Sequence, residues 1–349
     1  MTGSSPVTAL EGRGSEPHMT TETEQAYVPA ARQALAAFGV APAELRFVHL
    51  SENVTFKVTD AQGGSPLVLR LHRPWYHNID ELRSERLWTR ALLEAGVAAP
   101  EPLLTPDGED FVQVVAATGE QRWAGLARWM DGELLAEAVA RETDMAAKAR
   151  HFVRLGTIIA TMHDQATGWM PPAEFKRHAL NADGLMGPAP FWGPFWDHAI
   201  FSPAERRLLL DTRDMLHGAL TRYGNPARTF SLIHADLHPR NVVINGRHAA
   251  VIDFDDTGFG WHQYDLAVAL VSYQDHPEFP AFRDSCIAGY QSVRAIAEPD
   301  LALLPMFLLI RDMVQIGWFH QRPELPRPAN LPRLKDRACS MAARFVPMC

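Results

Sequence analysis

The sequence predicts an α+β fold in two lobes, with a small lobe built around an antiparallel sheet and a large lobe rich in helices. Short apolar runs separated by turns occupy residues 44–130, and they predict five strands with one helix after the third. Helical periodicity dominates from residue 144 onward. A chain of 349 residues also exceeds what one ordinary hydrophobic core supports. We therefore predict two domains, residues 25–130 and residues 131–349.

Composition narrows the class of protein. Hydrophobic residues make up 47% of the chain and charged residues 21%, as in ordinary soluble globular proteins. A net charge of −8 argues against general binding to nucleic acids or anionic membranes, so we expect neither as a partner. We also see no apolar run of membrane-spanning length and no secretory signal. The three cysteines are far apart and lack metal-ligand spacing, which favours a cytoplasmic location.

The elements of the small lobe follow from local patterns. Residues 1–24 are rich in Gly, Ser, Thr, Glu and Pro without periodicity, which is typical of a disordered tail. A helix is predicted at Tyr27–Phe38, because this segment has helical spacing and ends at a glycine. A second, amphipathic helix at Ile79–Ala95 is expected to share an apolar face with the sheet. The strands are predicted at Leu45–Leu50, Val54–Val58, Leu67–Leu71, Phe111–Val115 and Arg122–Trp129.

The large lobe contains one long segment without a clear helical pattern. This segment, Trp169–Ser202, carries closely spaced prolines and aromatic residues. A loop of this length is either functional or packed as a platform, and both readings stay open. Its candidates for a substrate wall are Trp192, Phe195, Trp196 and Asp197. The helices of this lobe are predicted at Asp144–Thr167, Pro203–Tyr223, His262–Tyr273, Ala281–Ile296 and Leu301–Trp318.

The chemistry concentrates in the stretch Leu232–Ile252. An apolar run delivers His234, Asp236 and Asn241 into a loop, and two short strands joined by Asn245-Gly246 form a hairpin. The second strand ends by presenting another carboxylate, Asp253. Phosphoryl transfer needs this set: one carboxylate for the hydroxyl proton, and an amide and a carboxylate that hold Mg²⁺ against nucleotide phosphates. We predict Asp236 as the catalytic residue and Asn241 with Asp253 as metal ligands.

The spacing H-x-D-x-x-x-x-N followed by a strand that ends in Asp is the catalytic-loop pattern of kinases. In the form HADLHPRN and IDFDD it resembles the aminoglycoside phosphotransferase-like branch of the kinase superfamily. Within that branch, DFDDTGFGWHQYDLA is most similar to the bacterial SrkA/RdoA-like stress-response kinases and their homoserine-kinase-like relatives. The resemblance implies a protein-kinase-like fold that binds ATP and Mg²⁺ between its lobes.

The resemblance also implies a nucleotide site in the small lobe. In kinases a lysine of the third strand pairs with a glutamate of the next helix and steadies the phosphates. Arg70 stands at that lysine position, and it keeps the positive charge. Lys57, on the second strand, is the alternative phosphate contact. Glu85 is the predicted helix partner, with Glu81 one turn away as its rival.

Two further stretches complete the predicted nucleotide site. The first hairpin loop lacks a glycine-rich pattern, but backbone amides from Ser51 to Asn53 can approach phosphates. The strand that ends in Arg128, Trp129 and Met130 leads into a turn where the lobes meet. By resemblance this turn is the hinge that contacts the adenine edge. We therefore assign Ser51, Asn53, Arg128 and Met130 to cofactor binding, together with Arg70 and Glu85.

Other polar residues near the loop have open or supporting roles. His234 and Asp265 are predicted to support the catalytic loop; Asp265 also suits the first turn of its helix by charge alone. Asp255 and Asp256 either contact metal or substrate, or cap the turn that follows. His238 and Arg240 either stabilise developing charge or are solvated loop residues.

These observations predict an ATP- and Mg²⁺-dependent O-phosphotransferase. Its acceptor is a small hydroxylated amine, such as homoserine or an aminoglycoside, or a protein Ser/Thr hydroxyl. A cationic acceptor should meet clustered carboxylates, for which Asp197, Asp255 and Asp256 are the candidates. The alternative of a different class is a nucleotide-binding pseudokinase that acts as a regulator. Arg70 favours that alternative, and the intact set of Asp236 with its two predicted metal ligands opposes it.

Overall fold

The computed structural model describes residues 21–50, 53–325 and 327–345. Buried apolar side chains form two clusters in this part of the chain. The smaller cluster lies in the strand-rich N-terminal part, and the larger one spans the helical C-terminal part. This division follows the α+β order that the sequence predicts.

The small lobe is an antiparallel sheet with two helices. In the sequence, one helix precedes the first strand and the other follows the third strand. Its elements are α1 (Thr21–Ala37), β1 (Pro42–Leu50), β2 (Val54–Asp60), β3 (Leu67–Leu71), α2 (Ile79–Glu94), β4 (Pro102–Leu103), β5 (Phe111–Val115) and β6 (Gln121–Arg128). The sheet order is β1-β2-β3-β6-β4, and β5 also pairs with β6. The five predicted strands are present, and β4 is a sixth. Two residues are too few to produce a readable alternation, so the sequence pattern did not indicate β4.

Helix α1 covers the apolar face of the sheet. Ala31, Ala34 and Leu35 are fully buried and belong to the same cluster as Val54 and Phe56 of β2. Small side chains allow the helix to lie close to the strands. The helix begins at Thr21, six residues before its predicted start. Most of the predicted N-terminal tail lies outside the described residues.

Helix α2 packs against the large lobe, whereas the sequence reading paired it with the sheet. Trp88 and Leu92 are fully buried within the larger cluster, and the indole of Trp88 donates a hydrogen bond to Gln165 at 2.9 Å. A capping box formed by Asn78 and Glu81 starts this helix. The expectation was wrong because the apolar face of a helix does not identify which of two neighbouring hydrophobic cores it packs against.

The large lobe combines nine further α-helices with two small sheets in the described residues. Its elements are β7 (Glu133–Leu134), α3 (Leu135–Arg141), α4 (Met145–Gly168), β8 (Ala179–Leu180), α5 (Ala182–Met186), α6 (Pro203–Tyr223), β9 (Phe230–Ile233), β10 (Val242–Asn245), β11 (His248–Val251), β12 (Gly258–Trp261), α7 (His262–Leu270), α8 (Phe279–Gln291), α9 (Glu298–Leu301), α10 (Leu304–His320) and α11 (Leu331–Arg344). One sheet has the order β11-β10-β7, and the other has the order β8-β12-β9.

Helix α11 was absent from the sequence prediction. Its buried positions are Leu331, Leu334, Ala338 and Ala342, which make a narrow stripe of two leucines and two alanines. Such a stripe gives a weak apolar signal between charged residues. The predicted helix Pro203–Tyr223 is present with the same ends, the other predicted helices are present with shifted ends, and α7 gives way to a 3₁₀ turn after Leu270.

One stretch of the described chain has the length and apolar character of a membrane span. It covers Glu298–His320, and 67% of its apolar window is buried inside the protein. The sequence reading had found no such run, because α9 and α10 become one long stretch only when they are taken together. A buried core helix has the same composition as a span, so this feature is weak evidence for a membrane.

Helices α4 and α8 contact each other through backbone atoms. A Cβ built on Gly156 of α4 would lie 1.9 Å from the carbonyl oxygen of Cys286, and a Cβ built on Gly289 of α8 would lie 1.9 Å from that of Val153. Thr157 also donates a hydrogen bond to the carbonyl of Gly289 at 3.3 Å. The two glycines therefore set the distance between these helices.

We expect Gly156→Ala to destabilise the protein, although alanine favours helix formation. The added methyl group must push the two backbones apart, which typically costs about 1–3 kcal/mol in a well-packed core. Gly218→Ala on α6 is the matched control, because its nearest contact would be an arginine side chain at 3.4 Å. Alanine should stabilise that helix by up to about 1 kcal/mol. Urea unfolding measures both changes, and equal stability of the two variants would contradict the close helix contact.

Candidate active site

The loop that joins β9 to β10 carries the predicted chemical residues. Strand β9 pairs with β12, and the chain then turns through a 3₁₀ segment, Pro239–Asn241, into the β10–β11 hairpin. Gly246 has a φ of 58° in the tight turn, as the Asn-Gly dipeptide predicts. The hairpin returns the chain to Asp253. A local pattern in the sequence thus produces a loop and a returning carboxylate.

Two residues of this region adopt a left-handed backbone although they are not glycine. Ala235 and Asp253 both have a φ of 66°. This conformation costs about 1–2 kcal/mol per residue, so the surroundings must hold it in place. Asp265 does so for the loop: its carboxylate accepts hydrogen bonds from the backbone N–H of His234 at 3.0 Å and of Ala235 at 2.7 Å.

Asp265 is buried at the start of α7, and its surroundings balance its charge. Burial raises the pKa of this carboxyl to about 6, while His234 and the two backbone N–H groups oppose the increase. The ring of His163 lies 3.1 Å from the same carboxylate. The ring of His234 lies 3.1 Å from the carbonyl oxygen of Ile252, and burial lowers its pKa. His234 and Asp265 therefore hold the backbone of the loop and of the hairpin end, and His163 of α4 contacts Asp265 from the core.

The carboxylate of Asp236 is held at both oxygens. One oxygen accepts a hydrogen bond from Arg311 at 2.6 Å, and the other accepts one from the amide of Asn241 at 3.1 Å. Arg311 is a buried residue of α10 that also donates to the hydroxyl of Tyr264 at 3.3 Å. Burial opposes the charge of Arg311, but Tyr264 and Asp236 raise its pKa above the ordinary value. It stays charged.

Sequence reasoning missed Arg311. The only local signal is a charged pair, Arg311-Asp312, within the apolar run of α10. Charged residues are almost never fully buried without a partner, so such a pair in a core helix indicates an ion pair with another element. The partner itself lies 75 residues away in sequence, and no local pattern identifies it.

Arg70 reaches the site from β3. Its guanidinium donates a hydrogen bond to Asp253 at 2.9 Å. The predicted pairing with Glu85 is therefore replaced by a pairing with Asp253, although the buried Glu85 lines the same cavity. Lys57 forms an ion pair with Asp131 at 3.6 Å, and its ammonium lies over the ring of Trp129.

A cavity of about 440 Å³ lies between the sheet and the large lobe. Its walls are largely apolar, and they come from β3, β6, β10 and the turn after β6. Arg70, Glu85 and Asp253 lie at its polar end. Of the residues predicted to bind cofactor, Arg128 and Met130 also line it, while Ser51 lies outside the described residues. A flat aromatic ring with attached phosphates suits this combination of walls and charge.

A second cavity, of about 250 Å³, lies beside the first and shares Asp253 with it. Its carboxylates are Asp236, Asp253, Asp255 and Asp256, and its aromatic walls are Trp192, Trp318 and Phe319. Asn53 also lines this smaller cavity, and its amide donates to Asp255 at 3.2 Å. It is thus found on the carboxylate side, whereas the sequence reading had assigned it to the nucleotide.

The carboxylates of the smaller cavity do not titrate alike. Burial raises the pKa of Asp256 to about 7, and the charge of Asp236 adds to the increase. The hydroxyl of Tyr76 donates a hydrogen bond to Asp256 and opposes the shift. Burial alone would raise the pKa of Asp255, but His72, His77 and Arg70 together outweigh burial and hold the pKa of that carboxyl below its ordinary value. Asp255 is therefore ionised at neutral pH, and Asp256 is close to its midpoint.

Two predicted substrate residues lie away from this cavity. Asp197 is half exposed and forms an ion pair with Arg206 of α6 at 2.9 Å. The ring of Trp196 packs under the guanidinium of Arg213, also on α6. A 3₁₀ turn at Phe195–Asp197 directs both side chains toward that helix. The prediction was wrong for this pair, and Trp192 is the member of the aromatic segment that reaches the cavity.

The polar oxygens of the loop and hairpin suit a hard divalent cation. Asn241 offers an amide oxygen while its NH₂ group is bonded to Asp236. Asp253 offers carboxylate oxygens at the boundary of the two cavities. Magnesium and calcium prefer such ligands and leave other positions to phosphates and water. His238 lies near the same loop, with its ring nitrogen 3.4 Å from Asp236, and Arg240 lines the larger cavity.

Comparison with known proteins gives a consistent set of relatives. Residues 44–303 match the model of APH, the phosphotransferase enzyme family. The chain is 23% identical to amicoumacin kinase of Bacillus subtilis over 303 residues, which is 84% of each chain. It is 29% identical to the homoserine kinase of Hyphomonas neptunium over 235 residues, or 62% of this chain and 63% of that one.

Solved structures show the same architecture. The microcompartment-associated aminopropanol kinase has a TM-score of 0.75 and 31% identity, and the match covers 90% of this chain and 94% of that one. A structure of amicoumacin kinase in complex with AMP-PNP and Ca²⁺ has a TM-score of 0.73 at 20% identity, covering 93% and 96%. These neighbours confirm the two-lobed, protein-kinase-like fold. The chain belongs to the phosphotransferase enzyme family APH, and it is a kinase that transfers phosphate to a hydroxyl group.

Proposed function

We propose that this protein is an ATP-dependent kinase whose acceptor is a small amino alcohol. The observation that carries the proposal is the smaller cavity, in which carboxylates and aromatic rings surround the space next to Asp236. A cavity of about 250 Å³ lies below the usual range for drug-sized ligands, about 300–1,000 Å³. It suits a compact acceptor better than a multi-ring aminoglycoside.

The cavity offers two kinds of attraction for an ammonium group. Asp255 and Asp256 supply negative charge, and the faces of Trp192 and Trp318 can supply cation–π contacts. A desolvated cation–π contact contributes about 2 kcal/mol. The hydroxyl of the acceptor would then face Asp236 at the inner side of the cavity. Charge and shape together favour a cation that carries a hydroxyl a short distance away.

The nucleotide would occupy the larger cavity, with its phosphates toward Arg70 and Asp253. We propose Asn241 and Asp253 as ligands of Mg²⁺, because both offer hard oxygen atoms. Asp253 lines the cavity, and Asn241 lies beside Asp236, to which its NH₂ group donates a hydrogen bond at 3.1 Å. The nucleotide supplies the transferred phosphoryl group, and the cation neutralises charge on it. Arg70 supplies a fixed positive charge beside Asp253 at 2.9 Å. The adenine would lie against the turn that contains Arg128 and Met130.

Asp236 has the role of orienting the acceptor hydroxyl and receiving its proton. Arg311 and Asn241 hold its two oxygens, so the carboxylate keeps one orientation. Arg311 also places a fixed positive charge 2.6 Å from this carboxylate. We assign Arg311 a positioning role. Asp265 also has a positioning role, and it acts through the backbone of the loop that it holds.

Several features weigh against the other acceptors and roles. The relatives named above act on amicoumacin, homoserine and aminopropanol, which are small molecules. A protein Ser/Thr acceptor would need a more open site than the smaller cavity offers. A pseudokinase would not need Asp236, Asn241 and Asp253 together.

We also propose the domain boundary near residue 130 and a cytoplasmic location, where ATP is available and cysteines such as Cys286 stay reduced.

An acceptor panel tests the proposed function. Purified protein is supplied with ATP and Mg²⁺, and ADP release is measured with amino alcohols, the same alcohols without the amine, aminoglycosides and test proteins. We expect the highest kcat/KM with a small amino alcohol and little turnover with its neutral analogue. A preference for an aminoglycoside or a protein acceptor would refute the assignment.

Removal of the carboxylate of Asp236 or of Asp253 should stop transfer without unfolding the protein. Asp236→Asn loses the proton acceptor, which typically contributes about 10²–10⁴-fold to rate. Asp253→Ala loses a cation ligand, and we expect a loss of about 10²–10³-fold. Asp197→Asn is the matched control, because its surface ion pair lies outside both cavities. Steady-state kinetics and circular dichroism make the comparison; normal turnover in Asp236→Asn would contradict its role.

Acceptor binding should depend on pH through Asp256. Its pKa of about 7 means that the group is neutral below that pH and charged above it. An alkyl ammonium stays charged over this range, so KM for the amino alcohol should rise as pH falls from 8 to 6, by at most about tenfold per unit. The charged and titratable groups that face Asp256 are Tyr76, Asp236, Asp255 and Arg311.

Asp256→Asn separates this group from its neighbours. The variant should bind the amino alcohol weakly at all pH values and lose most of the pH dependence of KM. KM for ATP serves as the internal reference in both proteins. The same slope in wild type and variant would assign the dependence to another group.

A further inference from the structure

Three potential metal ligands meet outside both cavities, at the contact between α2 and the chain before β8. They are His77, Glu81 and His178, and one ligand atom from each lies within 4.8 Å of the others. His77 precedes α2, Glu81 is in its first turn, and His178 comes just before β8. None of the three lines the larger or the smaller cavity.

His77 presents an unpaired ring nitrogen to this cluster. Its Nε2 lies 2.7 Å from the backbone carbonyl oxygen of Asp255, which can only accept a hydrogen bond. Nε2 therefore carries the hydrogen. The other nitrogen, Nδ1, is buried without a hydrogen-bond partner and lies 3.6 Å from Oε2 of Glu81. The residue is only 8% exposed, so water does not readily satisfy Nδ1.

The other two members are fixed in place by their own contacts. Oε2 of Glu81 accepts a hydrogen bond from the backbone N–H of Asn78 at 2.9 Å, as part of the capping box of α2. The ring of His178 stacks on Phe191, with the ring centroids 3.7 Å apart. Both ring nitrogens of His178 are buried without a hydrogen-bond partner. Buried nitrogens left unsatisfied cost about 1–3 kcal/mol each, so an arrangement that satisfies them is favoured.

We propose that His77, Glu81 and His178 form a binding site for a zinc-class divalent transition-metal ion. Two imidazoles and one carboxylate are common zinc ligands, and a fourth position is left for water. Ligands of a tetrahedral zinc lie about 3.4 Å apart, close to the 3.6 Å between His77 and Glu81. The hydrogen bond from Nε2 of His77 to a backbone carbonyl is the outer contact that metal-bound histidines usually make.

The site would fasten two parts of the chain that already touch. Next to His178, the backbone N–H of Lys176 donates to the hydroxyl of Ser84 at 2.8 Å, and Arg177 donates to the carbonyl of Glu81 at 3.2 Å. A bound metal would add a third link between α2 and this segment. Its role is structural, and it is independent of the acceptor and nucleotide proposed above.

Zinc titration of the full-length protein tests the site. The protein is stripped with a chelator and titrated with Zn²⁺ by calorimetry in excess Mg²⁺, which occupies oxygen-rich sites such as that of Asp253. Glu81→Gln removes the carboxylate but keeps a residue suited to the capping box. His178→Phe removes both nitrogens but keeps a ring against Phe191. His217→Phe is the control, because the ring of that half-exposed histidine pairs with Asp183 and does not belong to the cluster.

We expect one zinc per chain in the wild type and in His217→Phe, with a higher melting temperature when zinc is bound. Affinity should fall at least about tenfold in Glu81→Gln and in His178→Phe, and the thermal shift should shrink with it. Replacement by Co²⁺ should give the visible absorption of a tetrahedral nitrogen-containing site. Wild-type protein that binds no zinc, as when a proton alone bridges His77 and Glu81, would overturn the proposal. Equal affinity in either variant would overturn it as well.

Discussion

The catalytic region depends on one buried carboxylate that holds a strained backbone. Asp265 accepts hydrogen bonds from two consecutive N–H groups, those of His234 and Ala235, and Ala235 adopts a left-handed conformation. Without these bonds the loop would lose the contacts that offset its strain. The side chain of Asp236 follows directly, so its direction depends on that backbone. A residue that lines neither cavity thereby determines where the proposed catalytic carboxylate lies.

Ion pairs between elements that are distant in sequence also hold the carboxylates of this region in place. Arg311 fixes one oxygen of Asp236 from α10, and Arg70 meets Asp253 from β3. Each pair joins a charged group to a carboxylate of the loop or hairpin, and the Arg311–Asp236 pair is the more buried of the two. Asp253 lies where the two cavities meet. The proposed nucleotide and acceptor sites thus share one carboxylate.

Local features of this site could be predicted from the sequence, whereas tertiary contacts between distant elements could not. The loop, the Asn-Gly hairpin and the returning Asp253 follow from spacing and turn chemistry, and five strands of the small lobe follow from alternation. Arg311 was missed because only tertiary packing brings α10 to Asp236. Trp196 and Asp197 were misplaced because a 3₁₀ turn sends them away from Trp192, a few residues earlier. Whether α2 faces the sheet or the large lobe is likewise decided by packing, since its stripe fits either.

The anchoring of α2 has a mechanical consequence. Trp88 and Leu92 tie this helix into the large hydrophobic cluster, while β3 belongs to the small one. If the sheet pivots, Glu85 stays with the loop that bears Asp236, and Arg70 travels with the strands. The boundary between the two clusters then lies between α2 and the sheet, where Arg83 and Arg90 of α2 form ion pairs with Glu109 and Asp110 beside β5. Opening for nucleotide exchange would stretch the Arg70–Asp253 contact and also the Asn53–Asp255 contact at the smaller cavity.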